Sequence, residues 1–151
     1  MLLEYYQIRG QGPSRANPSD AGLDLRYNPE KGEDTLVGPG QSVILPTGLK
    51  FGVPHGYMLE IKNRSSNAAS RSLVVGACVV DSGYEGEVFV NLHNIGSLRQ
   101  KITSGTKIAQ AVLIPVVHFR PTRVENEQAL YHYPITMSSR GSGALGSTDK
   151  K

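Results

Sequence analysis

The chain has a single cysteine, Cys78, among 151 residues, so no intrachain disulfide can form and a reducing compartment is compatible with its chemistry. It has no apolar run near the roughly 20 residues needed to span a bilayer, and its start, MLLEYYQIRG, lacks the charged and apolar regions of a signal peptide. A soluble, cytoplasmic protein is the expectation. Sustained helical periodicity is missing too, since no window holds apolar residues at i, i+3, i+4 and i+7 over three turns. Concentrated charge is also absent. The net charge of +3 comes from scattered lysines and arginines, and an anionic small ligand accounts for it as well as a nucleic acid does. His55, His93, His118 and His132 show no metal-ligand spacing and read as ordinary surface or strand residues.

What is present is punctuation and alternation. Seventeen glycines and nine prolines break the chain every few residues. Between them Tyr57, Leu59 and Ile61 share one face of YMLEIK, and Val88, Val90 and Leu92 share one face of EVFVNLHN. SVIL (42–45), LVVGACVV (73–80) and KIAQAVLIPVVHF (107–119) read as further strands, the last two apolar on both faces and hence central. Short strands separated by turn signals predict a sandwich or jelly roll. Residues 9–20 read as an irregular entry loop and SSNAAS (65–70) as a turn of helix.

Five stretches are too polar and glycine-rich for a β core: SDAGLDL (19–25), NRSSNAAS (63–70), GACVVDSGYEGEV (76–88), GTKIAQ (105–110) and RGSGALGST (140–148). In the second, the Arg64 guanidinium stands beside the Ser65 and Ser66 hydroxyls after a strand, a set of donors suited to phosphate oxygens. A serine-capped turn is the other reading. Asp81 follows an apolar strand and precedes a tight Ser82–Gly83 hairpin, and a carboxylate at a buried strand end must be paired, solvated or used. Capping that turn is its alternative. Asp24 sits similarly between two leucines. Two acids, two arginines and several hydroxyls suit Mg²⁺ and a polyphosphate, because that ion keeps its waters and takes one or two carboxylates plus phosphate oxygens. RGSGALGST cannot build a core. It reads either as a solvated linker or as backbone that wraps an anion, with Arg140 and the hydroxyls as donors.

In this order and spacing the five stretches resemble the five motifs of the trimeric dUTPase family, from about Asp20 to Thr148: AGLDL the first, RSS the second, GACVVDSGYEGEV the third, GTKIAQ the fourth and RGSGALGST the fifth. The resemblance implies an all-β fold, a jelly-roll-like barrel or sandwich, as one domain over residues 1–151 with a β core to about residue 119 and a C-terminal arm beyond it. It also implies a homotrimer with active sites shared among three chains, the arm of one closing over the nucleotide of another. The reaction implied is Mg²⁺-dependent hydrolysis of dUTP to dUMP and pyrophosphate, which limits dUTP incorporation into DNA and supplies dUMP for dTMP synthesis. Neither nucleic acid nor membrane is required.

Carried over residue by residue, the resemblance implies that Asp81 orients and deprotonates the water that attacks the α-phosphorus. Asp24 would hold Mg²⁺ through coordinated waters, and Arg64, Ser65, Ser66 and Gln110 would contact the phosphate chain. Uracil would be read by main-chain groups around Gly76, Ala77 and Cys78 and at Phe89. Tyr84 would pack on the deoxyribose and leave no space for a 2′-hydroxyl, where a half-buried strand tyrosine is the plainer reading. Leu145 and Gly146 would lie in the lid over the base, with Arg140, Ser147 and Thr148 at the γ-phosphate.

The chain departs from the family pattern at several places. Leu145 replaces the usual aromatic, Asn63 a proline, Ser70 a lysine, Lys107 a common arginine, Asp149 a glycine and Cys78 a glycine. A dCTP deaminase shares the fold but needs a glutamate where Asn91 stands, and an amide cannot take up the proton. Zinc cytidine deaminases need two or three cysteine ligands. A nucleotide-responsive regulatory binding protein on the same scaffold is the reading from another class; no added domain or long insertion is visible to hold its partner.

Overall fold

Alternating apolar and polar positions dominate the first two-thirds of the chain, and those segments fold as strands. The structure, a computed structural model, describes residues 1–130, 141–146 and 149. It divides into two units, Met1–His118 and Phe119–Lys151. The first holds the strands β1 (Glu4–Gln7), β2 (Leu23–Arg26), β3 (Thr35–Val37), β4 (Ser42–Pro46), β5 (Leu49–Gly52) and β6 (Tyr57–Lys62), then the helix α1 (Ser65–Arg71). They are followed by β7 (Leu73–Val75), β8 (Val79–Val80), β9 (Phe89–Asn94), β10 (Gln100–Ile102) and β11 (Lys107–Pro115). Every strand pairing is antiparallel. A four-stranded sheet runs β2-β11-β6-β8 and a three-stranded sheet β4-β9-β7, with two-stranded pairs β1-β5 and β10-β3 beside them. This is the expected all-β class, and no described helix is long and apolar enough to cross a membrane.

The core is where the alternation points. Val88, Val90 and Leu92 are at most 1% exposed, as are Leu25, Leu49, Leu59, Leu73, Val37 and Ile102, and Ile61 is 2% exposed. Burying each such side chain contributes roughly 1.5–3 kcal/mol. Asn94, at the end of β9, is 1% exposed and fully engaged. Its Nδ2 donates to the Val37 and Leu98 carbonyls at 3.0 and 2.7 Å and its Oδ1 accepts from Gly96 N–H at 3.0 Å. It links β9 to β3 and closes the loop toward β10.

The structure corrects one strand. LVVGACVV is not a single central strand: β7 is an edge of the three-stranded sheet and β8 an edge of the four-stranded one. The β7–β9 ladder stops at the Val75–Leu92 pair. At Gly76 a Cβ would collide with Asn91 Oδ1 and His93 Nε2, so glycine lets the chain leave the sheet with those two side chains in place. Two residues on, the Cys78 carbonyl accepts from Ile61 N–H at 2.7 Å and the chain has joined β6. By contrast β11 is central, as its apolar run suggests, although it ends at Pro115 and not at residue 119 as the sequence reading expected. The helix is longer than the single turn expected, because Asn67, buried, donates through Nδ2 to the Lys107 and Ile108 carbonyls at 3.2 Å each and binds α1 along β11. β1 escaped the sequence reading because all four of its residues are exposed and carry no alternation.

The second unit contains a short helix, α2 (Glu127–Leu130), that the reading of an extended arm did not anticipate. Asn126 Oδ1 caps it by accepting from Ala129 N–H at 3.0 Å.

Replacing Asn94 by alanine strands the Val37 and Leu98 carbonyls and Gly96 N–H. Urea unfolding is expected to show a loss of about 2–4 kcal/mol with an unchanged m-value.

Candidate functional site

The first cluster grows out of strand register. Asp24 on β2 lies directly across from Gln110 on β11, which in turn faces Lys62 on β6. A register shift between Lys107 and Ala109 re-aims the start of β11. Lys107 Nζ consequently reaches Asp24 Oδ2 at 2.6 Å, while Arg64 Nε, from the residue that opens α1, reaches Asp24 Oδ1 at 2.9 Å. All three side chains are shielded, the carboxylate 16% exposed and each cation 28%. Burial alone would push the Asp24 carboxyl up. The Lys107 hydrogen bond and the charges of Arg64 and Lys107 outweigh it and hold the group below its ordinary value of 3.8. Gln110 donates to the Asn63 carbonyl at 2.8 Å, and Asn63 Oδ1 accepts from Val75 N–H at 2.7 Å. Asn63, the departure from a family proline, therefore acts as a clamp between the second motif and β7.

Asp24, Arg64, Ser65 and Gln110, with Asp20 and Ala16, line a cleft of about 200 Å³. Sequence reasoning named the first four. It missed Asp20 and did not assign Lys107 to the cluster. Ser66 is exposed on α1 and is not part of this lining.

The third motif builds the second surface. Asp81, exposed, opens a turn in which its carbonyl accepts from Tyr84 N–H at 3.2 Å, with Gly83 at φ +85° as a type II turn requires. Tyr84 bends back so that its hydroxyl donates to the Glu87 carbonyl at 2.8 Å, leaving the ring 45% exposed. Glu87 anchors the hairpin base by accepting from Gly48 N–H at 2.8 Å and pairing with Arg9. Neither Glu87 nor Arg9 stood out in the sequence, because a charged residue in a turn region looks solvated until its partner 78 positions away is known. Ala77, Cys78, Asp81, Tyr84 and Phe89 line a pocket of about 510 Å³ with Ile61, Val80 and Val88 at its wall. Gly76 stands immediately before this lining.

The two concavities share no lining residue. One offers cations around a carboxylate, the other a half-apolar slot with a free carboxylate at its rim. In the second unit Leu145 has φ +47° and is fully exposed, next to Gly146 at φ +86°. A leucine held left-handed costs roughly 1–2 kcal/mol, a conformation that presents its side chain outward. Arg140, Ser147 and Thr148 lie outside the described residues. Among the described residues no three histidine, cysteine or acidic side chains converge as a metal site.

A strand-built domain with a cation-lined cleft and a separate hairpin slot is a framework chemically suited to a small anionic ligand. The comparisons make the class specific. The family model for dUTPase matches residues 9–148. The deoxyuridine 5'-triphosphate nucleotidohydrolase of Chlamydia felis is 37% identical over 141 residues, 92% of this chain and 91% of that protein. The enzyme of the same name from Pseudomonas paraeruginosa is 38% identical over 137 residues, covering 89% and 84%. Among solved structures, the dUTPase of Staphylococcus bacteriophage 80alpha with dUPNHPP matches with a TM-score of 0.81 at 21% identity, over 97% of each chain. A mutant dUTPase from phage phi11 of S. aureus, described with a structural Mg(II) ion, gives 0.75 at 21% over 85% of this chain and 99% of that one. The chain belongs to the dUTPase family.

Because its folded pKa is depressed, Asp24 stabilises the fold fully above its unfolded value near 3.8, and that contribution fades as pH falls through the lower folded value. Asp24→Asn is expected to cost about 1–3 kcal/mol at pH 7, with the gap to wild type closing below about pH 4 in pH-dependent urea unfolding.

Proposed function

We propose that this chain hydrolyses dUTP to dUMP and pyrophosphate, as a homotrimer whose active sites combine surfaces of different chains. Family membership carries the chemistry. The observation that carries the shared site is the separation of the motif residues into two concavities with no residue in common, since a nucleoside triphosphate needs both.

In this reading the third-motif pocket takes the nucleoside. Main-chain groups of Gly76, Ala77, Cys78 and Phe89 read uracil, and Tyr84, its ring held over the hairpin by the hydroxyl bond to Glu87, packs against the deoxyribose. Asp81 orients a water toward the α-phosphorus in line with the bridging oxygen to the β-phosphorus. The water oxygen forms the new bond to phosphorus, the bridging bond breaks with its electrons leaving on pyrophosphate, and the water proton passes to the Asp81 carboxylate. The cleft of a second copy supplies Arg64, Ser65 and Gln110, with Ser66 nearby, to the phosphate chain. Until phosphate arrives, Asp24 serves as its internal counter-ion and holds Arg64 and Lys107 in place. Leu145 and Gly146, with Arg140, Ser147 and Thr148, form the lid of a third.

The donor set suits a magnesium ion carried on the triphosphate rather than one bound beforehand. Both Asp24 oxygens already face cations, and a single carboxylate can serve such an ion through its waters. Bound, the ion would neutralise charge on the phosphate oxygens.

Pyrophosphate release in Mg²⁺ is expected to favour dUTP over dCTP, dTTP and UTP by about 10² or more in kcat/KM; comparable rates on all four would reject the assignment. Asp81→Asn should bind dUTP and lose about 10²–10⁴ in kcat. Co-expressing Asp81→Asn with Arg64→Ala, each inactive alone, should recover about a quarter of wild-type activity if the two residues come from different chains. No recovery would place them in one chain's site.

A further inference from the structure

Asn91 lies on β9, on the face opposite Val90 and Leu92, where an apolar strand position would need no amide. Its Oδ1 accepts from Ala77 N–H at 3.2 Å and sits 3.0 Å from His93 Nε2, while its Nδ2 donates to the Val43 carbonyl on β4 at 3.2 Å. Its main-chain carbonyl accepts from Gly76 N–H at 2.9 Å. The two backbone partners, one a donor and one an acceptor, fix which end of the amide is oxygen.

These bonds fall where the sheet runs out, Gly76 N–H making the last backbone bond to β9. The β7–β9 ladder ends at Val75, and Ala77 is already exposed, on its way to β8. A backbone N–H leaving a ladder needs a partner or fluctuates into water. Asn91 provides it, and the Cys78 carbonyl is tied to Ile61 N–H on the far side. The strap that lines the nucleoside pocket is thus held at both ends, once by a strand and once by a side chain.

We propose that Asn91 is a positioning residue for base selection: its amide holds Ala77, and through it the main-chain groups of Gly76–Cys78, at the spacing that accepts uracil and rejects thymine's methyl and cytosine's amino group. It does so without touching the nucleotide. The proposal rests on the dUTP reading above.

Three proteins test it: wild type, Asn91→Leu, which keeps size and removes the contacts to Ala77, Val43 and His93, and Asn91→Asp, which keeps an acceptor for Ala77. Asn91→Leu is expected to raise KM for dUTP about tenfold, the equivalent of one lost positioning hydrogen bond, with kcat within about threefold. Its preference for dUTP over dTTP and dCTP should shrink by a similar factor. Asn91→Asp should stay within about threefold of wild type in all three measures. Unchanged selectivity in Asn91→Leu, or Asn91→Asp as impaired as Asn91→Leu, overturns the tether. Should Asn91→Leu fail to fold, hydrogen exchange in the wild-type protein decides: a protected Ala77 amide supports the tether, and exchange at open-loop rates overturns it. Wild-type protein that releases no pyrophosphate from dUTP overturns the functional reading instead, and the Ala77 amide then still reports on the tether alone.

Discussion

Between Val75 and Val79 the chain leaves one sheet and enters another, and it does so through Gly76, packed so closely under Asn91 and His93 that a side chain there would displace them. A sheet normally satisfies its backbone by continuing; here the ladder is broken off so that main-chain groups line a pocket instead. The exposed strap is kept in shape by Asn91 on one side and Ile61 on the other. The hairpin that follows inherits its position from that strap, and its base is secured independently by Glu87 against Arg9 and Gly48. Asp81 and Tyr84 therefore stand on a turn whose two roots are both anchored in the core.

The cation cleft follows different physics. A carboxylate flanked by Arg64 and Lys107 in a half-shielded cleft keeps two positive charges close without leaving them unpaired, which avoids the cost of burying like charges together. In the proposed reaction an incoming phosphate chain would replace Asp24 as the anion facing these two cations. The helix that follows Arg64 is held by Asn67 to the Lys107 and Ile108 carbonyls of β11, so both cations stand on one hydrogen-bonded framework.

Separation of the two surfaces gives assembly a chemical meaning. The third-motif pocket and the cation cleft have no lining residue in common, so in the proposed trimer catalysis would depend on assembly. The large exposed side chains of the first unit, Ile44, Leu98 and Ile95 among them, are consistent with a surface that further copies cover.

Local pattern was enough to determine the all-β class and the buried faces of β6 and β9, because alternation acts over a few neighbouring positions; short motifs singled out Asp24, Arg64, Asp81, Tyr84 and Gln110 as candidates. The tertiary structure alone decided what those residues face. Lys107 became the partner of Asp24, Glu87 that of Arg9, and Asn91 the holder of Ala77, through contacts that sequence proximity does not encode. It also split LVVGACVV into two edges, since hydrophobicity says that a segment is buried and not which ladder ends beneath it. Strand identity is a property of neighbours in the chain; pairing, charge neutralisation and the sharing of a site are properties of neighbours in space.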